Sequence, residues 1–510
     1  PPIDNFTFLI FISFVPLLII ESSLKDEKST FKKLFFYVYL AFFIFNLCTT
    51  FWIWHAHSVG AVFAILCNSF FMTFVFCLYS KIKKTSIWNA TFFILPVLWI
   101  GFEYLHLNWD LSWPWLTLGN VFSTHTEWIQ WYSFTGVLGG TIWIFLVNFL
   151  FLKLYQNKSN LYLRNRYLST VILSIFLPIG LSQFMYHKNN NMILNDTVNV
   201  LVVQPNIDVA TQKFSISQED QINLVLDSMY AKTDSLLDFV ILPETFLISG
   251  IWEHEIKKNK HIARFKRLID QFPNLNIIVG STIYELSEKS AISKPLRNHV
   301  NQYYKVHNSA IQLNSFGIST YHKSKLVPGA EQMPFQKFLY PILGDNILQI
   351  GNSNSIGNFA KQDAASVFLS SKQHKSAPII CYESIYGDYV RNFINKGAQI
   401  IFIITNDGWW KKTSGYQQHN LYAKLRAIET RRYVARSANT GISSIINPFG
   451  ELEDNIGWGK RGVIQYKIPL YNDITFYVKY GDFIGRLSAL FSVLILLYFF
   501  VANKLHFYKK

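Results

Sequence analysis

Three short stretches of this chain carry residue types that together could perform acyl chemistry. In SAPIICYESIYG an apolar, strand-like run from Ala377 to Ile380 stops at Cys381, and a helix-like stretch opens at Glu383. A thiol at such an elbow lies near backbone donors and a positive helix end, which favour a nucleophilic thiolate. The ordinary role of a lone cysteine is different: a small buried hydrophobe. In DFVILPETF, residues 238 to 246, Glu244 follows Pro243 at the end of a short apolar strand. Open α/β sheets place their ligands at strand carboxyl ends, so an acid there can serve as general base, although helix-capping acids after strands are common. In STYHKSKLVPGAEQMPF, residues 319 to 335, Lys323 follows another strand-like run and Glu331 comes eight residues later. That lysine could stabilise an oxyanion or be a solvated loop charge.

The elements that must hold these groups alternate between strand and helix. Apolar, β-branched runs at 198 to 204, 237 to 242, 275 to 284, 306 to 313, 376 to 381, 399 to 404 and 441 to 447 are expected as strands. Helical stretches are expected at 217 to 235, 383 to 396 and 418 to 437. Such alternation implies an α/β layered core.

In this order, Glu244, Lys323 and Cys381 resemble the Glu-Lys-Cys triad of the nitrilase (carbon-nitrogen hydrolase) superfamily. Flanking pieces match as well: VVQPNI at 202 to 207, VHNSA at 306 to 310, CYES at the nucleophile, TNDGWW at 405 to 410 and RSANTGISSIINPFGE at 436 to 451. The resemblance runs over roughly residues 197 to 470. It implies a four-layer αββα sandwich, which the strand and helix pattern permits without requiring.

Around that region the chain is apolar. Half of its residues are hydrophobic, 17% are aromatic and only 15% are charged, too greasy for an ordinary soluble enzyme. Bilayer-length windows lie at 3 to 20, 34 to 54, 59 to 79, 87 to 105, 128 to 152, 168 to 186 and 484 to 503. The expected organisation is therefore a transmembrane helical bundle over 1 to 190, a catalytic domain over 197 to 470 and a final membrane helix over 484 to 503. Basic residues mark the cytoplasmic side. They fill the loops at 21 to 33, 80 to 86 and 153 to 167 and the tail (Lys504, Lys509, Lys510), while loops 55 to 58 and 106 to 127 hold no Lys or Arg. That alternation puts the catalytic domain outside the cytoplasm. It also puts Pro1 outside, which leads to the expectation of a further amino-terminal span, eight in all, or of a cleaved signal peptide.

An extracytoplasmic nitrilase-like domain set between membrane spans resembles the lipoprotein-acylating branch of the superfamily, in which a third acyl chain is added to bacterial lipoproteins. The resemblance implies an enzyme of the bacterial inner membrane that takes an acyl chain from a glycerophospholipid, holds it as a thioester on Cys381, and passes it to the amino terminus of a diacylglyceryl-cysteine apolipoprotein. It gives supporting roles to Glu331, Tyr382 and Glu383, and substrate contacts to Trp409, Phe214 and Asn308. Two positions depart from the branch's pattern: Lys325 stands where histidine is frequent, and Phe214 replaces a lid tryptophan.

The remaining composition narrows the field. Cys48, Cys67 and Cys77 fall in membrane windows, so Cys381 has no disulfide partner in its domain, and the histidines show no HExxH or paired CxxC spacing. No metal or other cofactor is expected, and a monomer is. His419 reads as a structural hydrogen-bonder. The net charge of +15 concentrates in predicted cytoplasmic loops, which fits anionic head groups rather than nucleic acid. A membrane-tethered amidase would share the triad, but a mere anchor does not need so many spans. A non-enzymatic binding or transport protein would leave the triad unexplained and would ordinarily carry more charge in its spans, where Glu103 is the main exception.

Overall fold

The computed structural model describes residues 4–24, 30–85, 91–189, 196–209, 211–213, 215–290, 292–296, 302–343 and 359–508. The chain separates into two compact units, Pro1–Asn191 with Tyr480–Lys510, and Met192–Lys479.

The first unit is helical. Among its described residues, six segments are long and apolar enough to cross a membrane: Phe6–Ser23, Phe31–Thr50, Ser58–Lys84, Val137–Gln156, Leu161–Lys188 and Phe483–Ala502. Their outward faces are apolar, with Phe36, Phe63, Phe176, Phe184, Phe491 and Leu494 all exposed. In water such surface would be an aggregation liability; in a bilayer it is the face that meets lipid. Two expected windows are shorter than their apolar runs. The window at 87 to 105 holds the helix Ile94–Leu107, and that at 128 to 152 holds a single helical turn, Tyr132–Thr135, before its long helix begins at Val137, after a series of 3-10 turns between Pro114 and Trp128.

Those turns need polar anchors inside the unit, and Glu103 supplies one. Its carboxylate accepts from Leu118 N at 2.8 Å, Thr141 Oγ1 at 2.8 Å and Trp99 Nε1 at 3.2 Å. Asn68 donates to Asn46 Oδ1 at 2.6 Å and lies 3.0 Å from His106 Nε2. These buried polar groups are spent on holding backbone and neighbouring helices, as a low-dielectric interior demands.

The second unit is built on two sheets. Strands β1 (Asp196–Gln204), β2 (Phe239–Ile241), β3 (Leu247–Trp252), β4 (Asn276–Ser287), β5 (Lys294–Pro295), β6 (Tyr303–Asn314) and β7 (Gly317–His322) come first in the chain. They are followed by β8 (Phe368–Leu369), β9 (Lys375–Ile380), β10 (Ile400–Thr405), β11 (Val434–Ala438), β12 (Ser443–Ile446), β13 (Leu452–Ile456) and β14 (Gly462–Leu470). One sheet runs β14-β1-β2-β4-β6-β5, with β3 on β4 and β7 on β6; the other runs β13-β12-β11-β10-β9-β8. Residue alternation splits each strand between two layers. Leu201, Val203, Val240, Ile277 and Val279 pack with Ile222, Val225, Met229, Phe265 and Leu268 of the helices Gln218–Tyr230 and Lys260–Gln271. On the opposite face, Phe239 meets Phe402 of the second sheet at 5.0 Å between ring centroids, and Ser437 Oγ donates to Val203 O at 2.8 Å. The helices Gly387–Asn395 and Ser414–Thr430 pack on the second sheet. The order is helix, sheet, sheet, helix: the αββα sandwich.

The seven expected strands are present as β1, β2, β4, β6, β9, β10 and β12, whereas β11, inside the second sheet, falls where a helix was expected. The helix expected over 418 to 437 spans Ser414–Thr430 and is stopped by Arg431 at φ +51°. The chain then extends as β11, parallel to β10, with Val434 opposite Ile401. A helical reading persisted there because Val434 to Ala438 is buried throughout and offers no alternation.

Candidate active site

The three expected groups follow strand ends of the facing sheets. Pro243 and Glu244 leave β2 in a tight turn, with Thr245 at φ +46°. The turn passes so close to β4 that a Cβ on Gly280 would lie 2.5 Å from Pro243 O and 2.6 Å from the Glu244 Cα. Only glycine fits there. Lys323 follows β7, its N–H donating to Asn308 O of β6 at 2.8 Å. Cys381 follows β9 at φ +50°, a left-handed conformation unusual outside glycine and Asn, and opens a single 3-10 turn, Cys381–Ile385.

Lys323 is the hub of the site. Its Nζ donates to Glu331 Oε1 at 2.8 Å and to Glu244 Oε1 at 3.2 Å, and the side chain is 1% exposed. Burial disfavours its charge, but the carboxylates of Glu244 and Glu331 and the Cys381 sulfur outweigh that and hold its pKa well above the usual lysine value. Asn308 Nδ2 donates to both acids, at 2.7 Å to Glu244 Oε1 and 3.0 Å to Glu331 Oε1. Glu331 Oε2 accepts from Val327 N at 2.9 Å. Asn308, expected as a substrate contact, therefore spends its amide on the two carboxylates; its Oδ1 is buried and has no partner among the described residues.

The Cys381 thiol is buried beside these charges. Burial raises its pKa, the negative charge of Glu244 raises it further, and Lys323 and a hydrogen bond with Thr405 pull the other way without prevailing. Burial and the Glu244 charge thus work against the ready-made thiolate expected from the elbow. The reason is local: the turn after Cys381 is only one short 3-10 segment, and desolvation outweighs its dipole.

Glu383 and Tyr382 sit just beyond the nucleophile. Glu383 Oε2 accepts from Ile380 N at 2.9 Å, and Oε1 accepts from Ser324 N at 2.6 Å, Lys325 N at 3.2 Å and Tyr321 Oη at 2.7 Å. One buried carboxylate thereby ties the loop after Lys323 to the cysteine elbow. Burial pushes its pKa up to about 7, against the pull of these donors. Tyr382 is buried, its ring edge-on to Tyr386 at 5.3 Å. Lys325, at the departing position, lies over the rings of Tyr386 and Tyr389 at 5.1 and 5.9 Å.

A second polar layer supports the elbow from β10. Asp407 is held by Arg436 at 2.8 and 3.0 Å and lies 3.0 Å from His419 Nδ1. His419 Nε2 in turn lies 3.0 Å from Ser384 Oγ and 3.2 Å from Cys381 O, which fits the structural reading of this histidine. Trp409 is 47% exposed, whereas Trp410 packs against His419 at 5.4 Å. Phe214 lies outside the described residues. Sequence reasoning missed Lys213, Asp407 and Arg436. The last two stood in the quoted motifs TNDGWW and RSANTG, where a charged pair would have shown only through the β10 to β11 pairing that joins them.

Residues 200–472 match the family model described as carbon-nitrogen hydrolase, and residues 1–150 match that described as the apolipoprotein N-acyltransferase N-terminal domain. A Chlorobaculum tepidum protein named apolipoprotein N-acyltransferase is 26% identical over 93% of this chain and 89% of its own length. One of the same name from Borreliella burgdorferi is 26% identical over 98% of this chain and 92% of its own. A Saccharomyces cerevisiae member of the nitrilase superfamily, solved by crystallography, aligns at 18% identity over 54% of this chain and 91% of that one, with a TM-score of 0.37.

Proposed function

Because this chain belongs to the carbon-nitrogen hydrolase family, we propose that it is an enzyme of that chemistry turned to acyl transfer: a membrane-embedded apolipoprotein N-acyltransferase. The observation that carries the reading is the buried Lys323 ammonium held between Glu244 and Glu331 and acting on the Cys381 sulfur, within a chain that has, among its described residues, six helices of membrane length. The names of its full-length relatives supply the substrate class.

In the first half-reaction Glu244 takes the proton from Cys381 as the sulfur attacks an ester carbonyl of a glycerophospholipid. Lys323, with backbone N–H groups near Tyr382, stabilises the tetrahedral oxyanion. Collapse breaks the ester C–O bond; the departing alkoxide takes the proton back from Glu244 and leaves as a lysophospholipid. Cys381 then carries the acyl chain as a thioester. In the second half-reaction the α-amine of a diacylglyceryl-cysteine attacks that carbonyl, Glu244 accepts the amine proton, and as the C–S bond breaks Glu244 returns that proton to the sulfur, giving the amide and the free thiol. Glu331 and Asn308 fix the lysine and the base, and Glu383 fixes the elbow. Trp409 and Phe214 contact lipid. In this reading the enzyme lies in the bacterial inner membrane with residues 197 to 470 outside, an orientation that the distribution of Lys and Arg supports.

The test uses a glycerophospholipid labelled in one acyl chain and a diacylglyceryl-cysteine peptide. Label should appear in the peptide as an amide, with one lysophospholipid released per amide. Label recovered only as free fatty acid would assign hydrolysis instead.

A further inference from the structure

Outside the expected triad, a buried lysine lies beside the general base. Lys213 is 3% exposed, and its Nζ has a single hydrogen-bond partner among the described residues, Thr245 Oγ1 at 2.6 Å. Its backbone is fixed in the turn after β1, with Lys213 N donating to Asp208 O at 2.8 Å and Gln221 Nε2 donating to Lys213 O at 2.8 Å. Thr245 is the residue next to Glu244, and the Glu244 charge acts on Lys213. An ammonium desolvated this far is costly unless it compensates negative charge.

The charge inventory shows what it compensates. Glu244 faces Lys323 and the Asn308 amide directly, its charge acts on the Cys381 sulfur, and Glu331 reaches it through the shared Lys323 and Asn308 donors. Lys323 is the only ammonium these two carboxylates share by direct contact among the described residues. With Lys213 the cluster holds two acids and two lysines; without it, one negative charge is left over beside a thiol that must lose its proton.

We infer that Lys213 is a positioning residue of the same reaction: through Thr245 and its charge it keeps Glu244 available as the base that deprotonates Cys381. The inference rests on the acyl-transfer reading above. Burial lowers the lysine's own pKa to about 8 against the opposing pull of Glu244, so the group still carries its charge at neutral pH.

The experiment measures single-turnover thioester formation on the full-length, detergent-solubilised protein by intact mass across pH, with a glycerophospholipid as acyl donor. Lys213→Gln removes the charge and keeps a donor for Thr245; Lys213→Arg keeps the charge. Losing a nearby cation favours the protonated base, so the acid limb of the Lys213→Gln profile should move upward by about one pH unit, with the rate loss on that limb approaching about tenfold and vanishing on the plateau. Lys213→Arg should keep the wild-type limb. Lys213→Met supplies the same comparison if glutamine unsettles the turn. An unmoved limb in the neutral variants, or an equal displacement in Lys213→Arg, overturns the inference. Absence of a thioester in the wild-type chain would instead overturn the proposed function.

Discussion

Glu331 Oε1 stands 2.8 Å from Lys323 Nζ, closer than Glu244 Oε1 at 3.2 Å. The acid eight residues beyond the lysine is thus its tighter partner, which leaves Glu244 the more loosely engaged of the two and better placed to exchange a proton. Without Glu331, Lys323 keeps only Glu244 as an ion-pair partner among the described residues, so the lysine would close on the base and occupy the carboxylate that must take the Cys381 proton. Glu331→Ala should therefore cut acyl transfer by at least about a hundredfold while leaving the chain in the membrane. Retention of more than a tenth of wild-type activity in a labelled-phospholipid assay would remove Glu331 from the site.

Asn308 provides a sharper substitution. Its Nδ2 donates to both carboxylates, so Asn308→Asp replaces a shared donor with a third acid at almost constant volume. Transfer should fall below about 1% of wild type, because like charges at this distance force one of them to protonate. Asn308→Ala should retain more activity than Asn308→Asp, and the opposite order in the same assay would contradict the bridging role.

The pH dependence follows from the buried thiol. With its pKa raised by burial, Cys381 should remain a thiol through neutral and mildly alkaline pH, so its charge develops only during attack. Difference absorbance near 240 nm between wild type and Cys381→Ser should then show no thiolate step between about pH 6 and about pH 9. A step centred near neutrality would indicate a stored thiolate and make a separate base unnecessary.

Trp409 is the exposed member of its pair, and its loss uncovers little core. An exposed indole next to a lipid enzyme's site contributes through the interface. Trp409→Ala should raise KM for the phospholipid several-fold with kcat and Tm nearly unchanged. A fall in Tm of more than about 5 °C would mark it as a packing residue instead.

Orientation is tested with single reporter cysteines, placed in a chain from which Cys48, Cys67 and Cys77 have been removed. One reporter goes in the basic loop 153 to 167 and one in the 286 to 300 stretch. With an impermeant reagent on intact cells freed of any outer membrane, the second should label and the first should be protected. The reverse would place the catalytic domain in the cytoplasm, where exported lipoproteins are not acylated.

The sequence disclosed most where local chemistry and periodicity agree. The central strands were legible because β2, β9 and β10 are short apolar runs ended by Pro243, Cys381 and Asn406, and the spans because long apolar helices need no partner to be recognised. Glu244, Lys323 and Cys381 could be named because each directly follows such a strand or run. Lys213 could not: an isolated lysine in a polar stretch reads as solvated, and its burial depends on Thr245, 32 residues away. The clamp made by Glu383 was equally hidden, since its partners Ser324 and Lys325 lie 59 and 58 residues earlier and offer only backbone N–H groups. The depth at which Cys381 lies was hidden for a related reason: motif spacing carries the turn but not the burial.

The central claim is that Cys381 carries the acyl chain. Intact mass of the protein after incubation with a glycerophospholipid and no acceptor tests it most directly. The account predicts one added acyl group on wild type, mapped to Cys381, discharged by a diacylglyceryl-cysteine peptide and absent from Cys381→Ser. Continued transfer to the peptide without any such adduct, or an adduct that persists in Cys381→Ser, would contradict it.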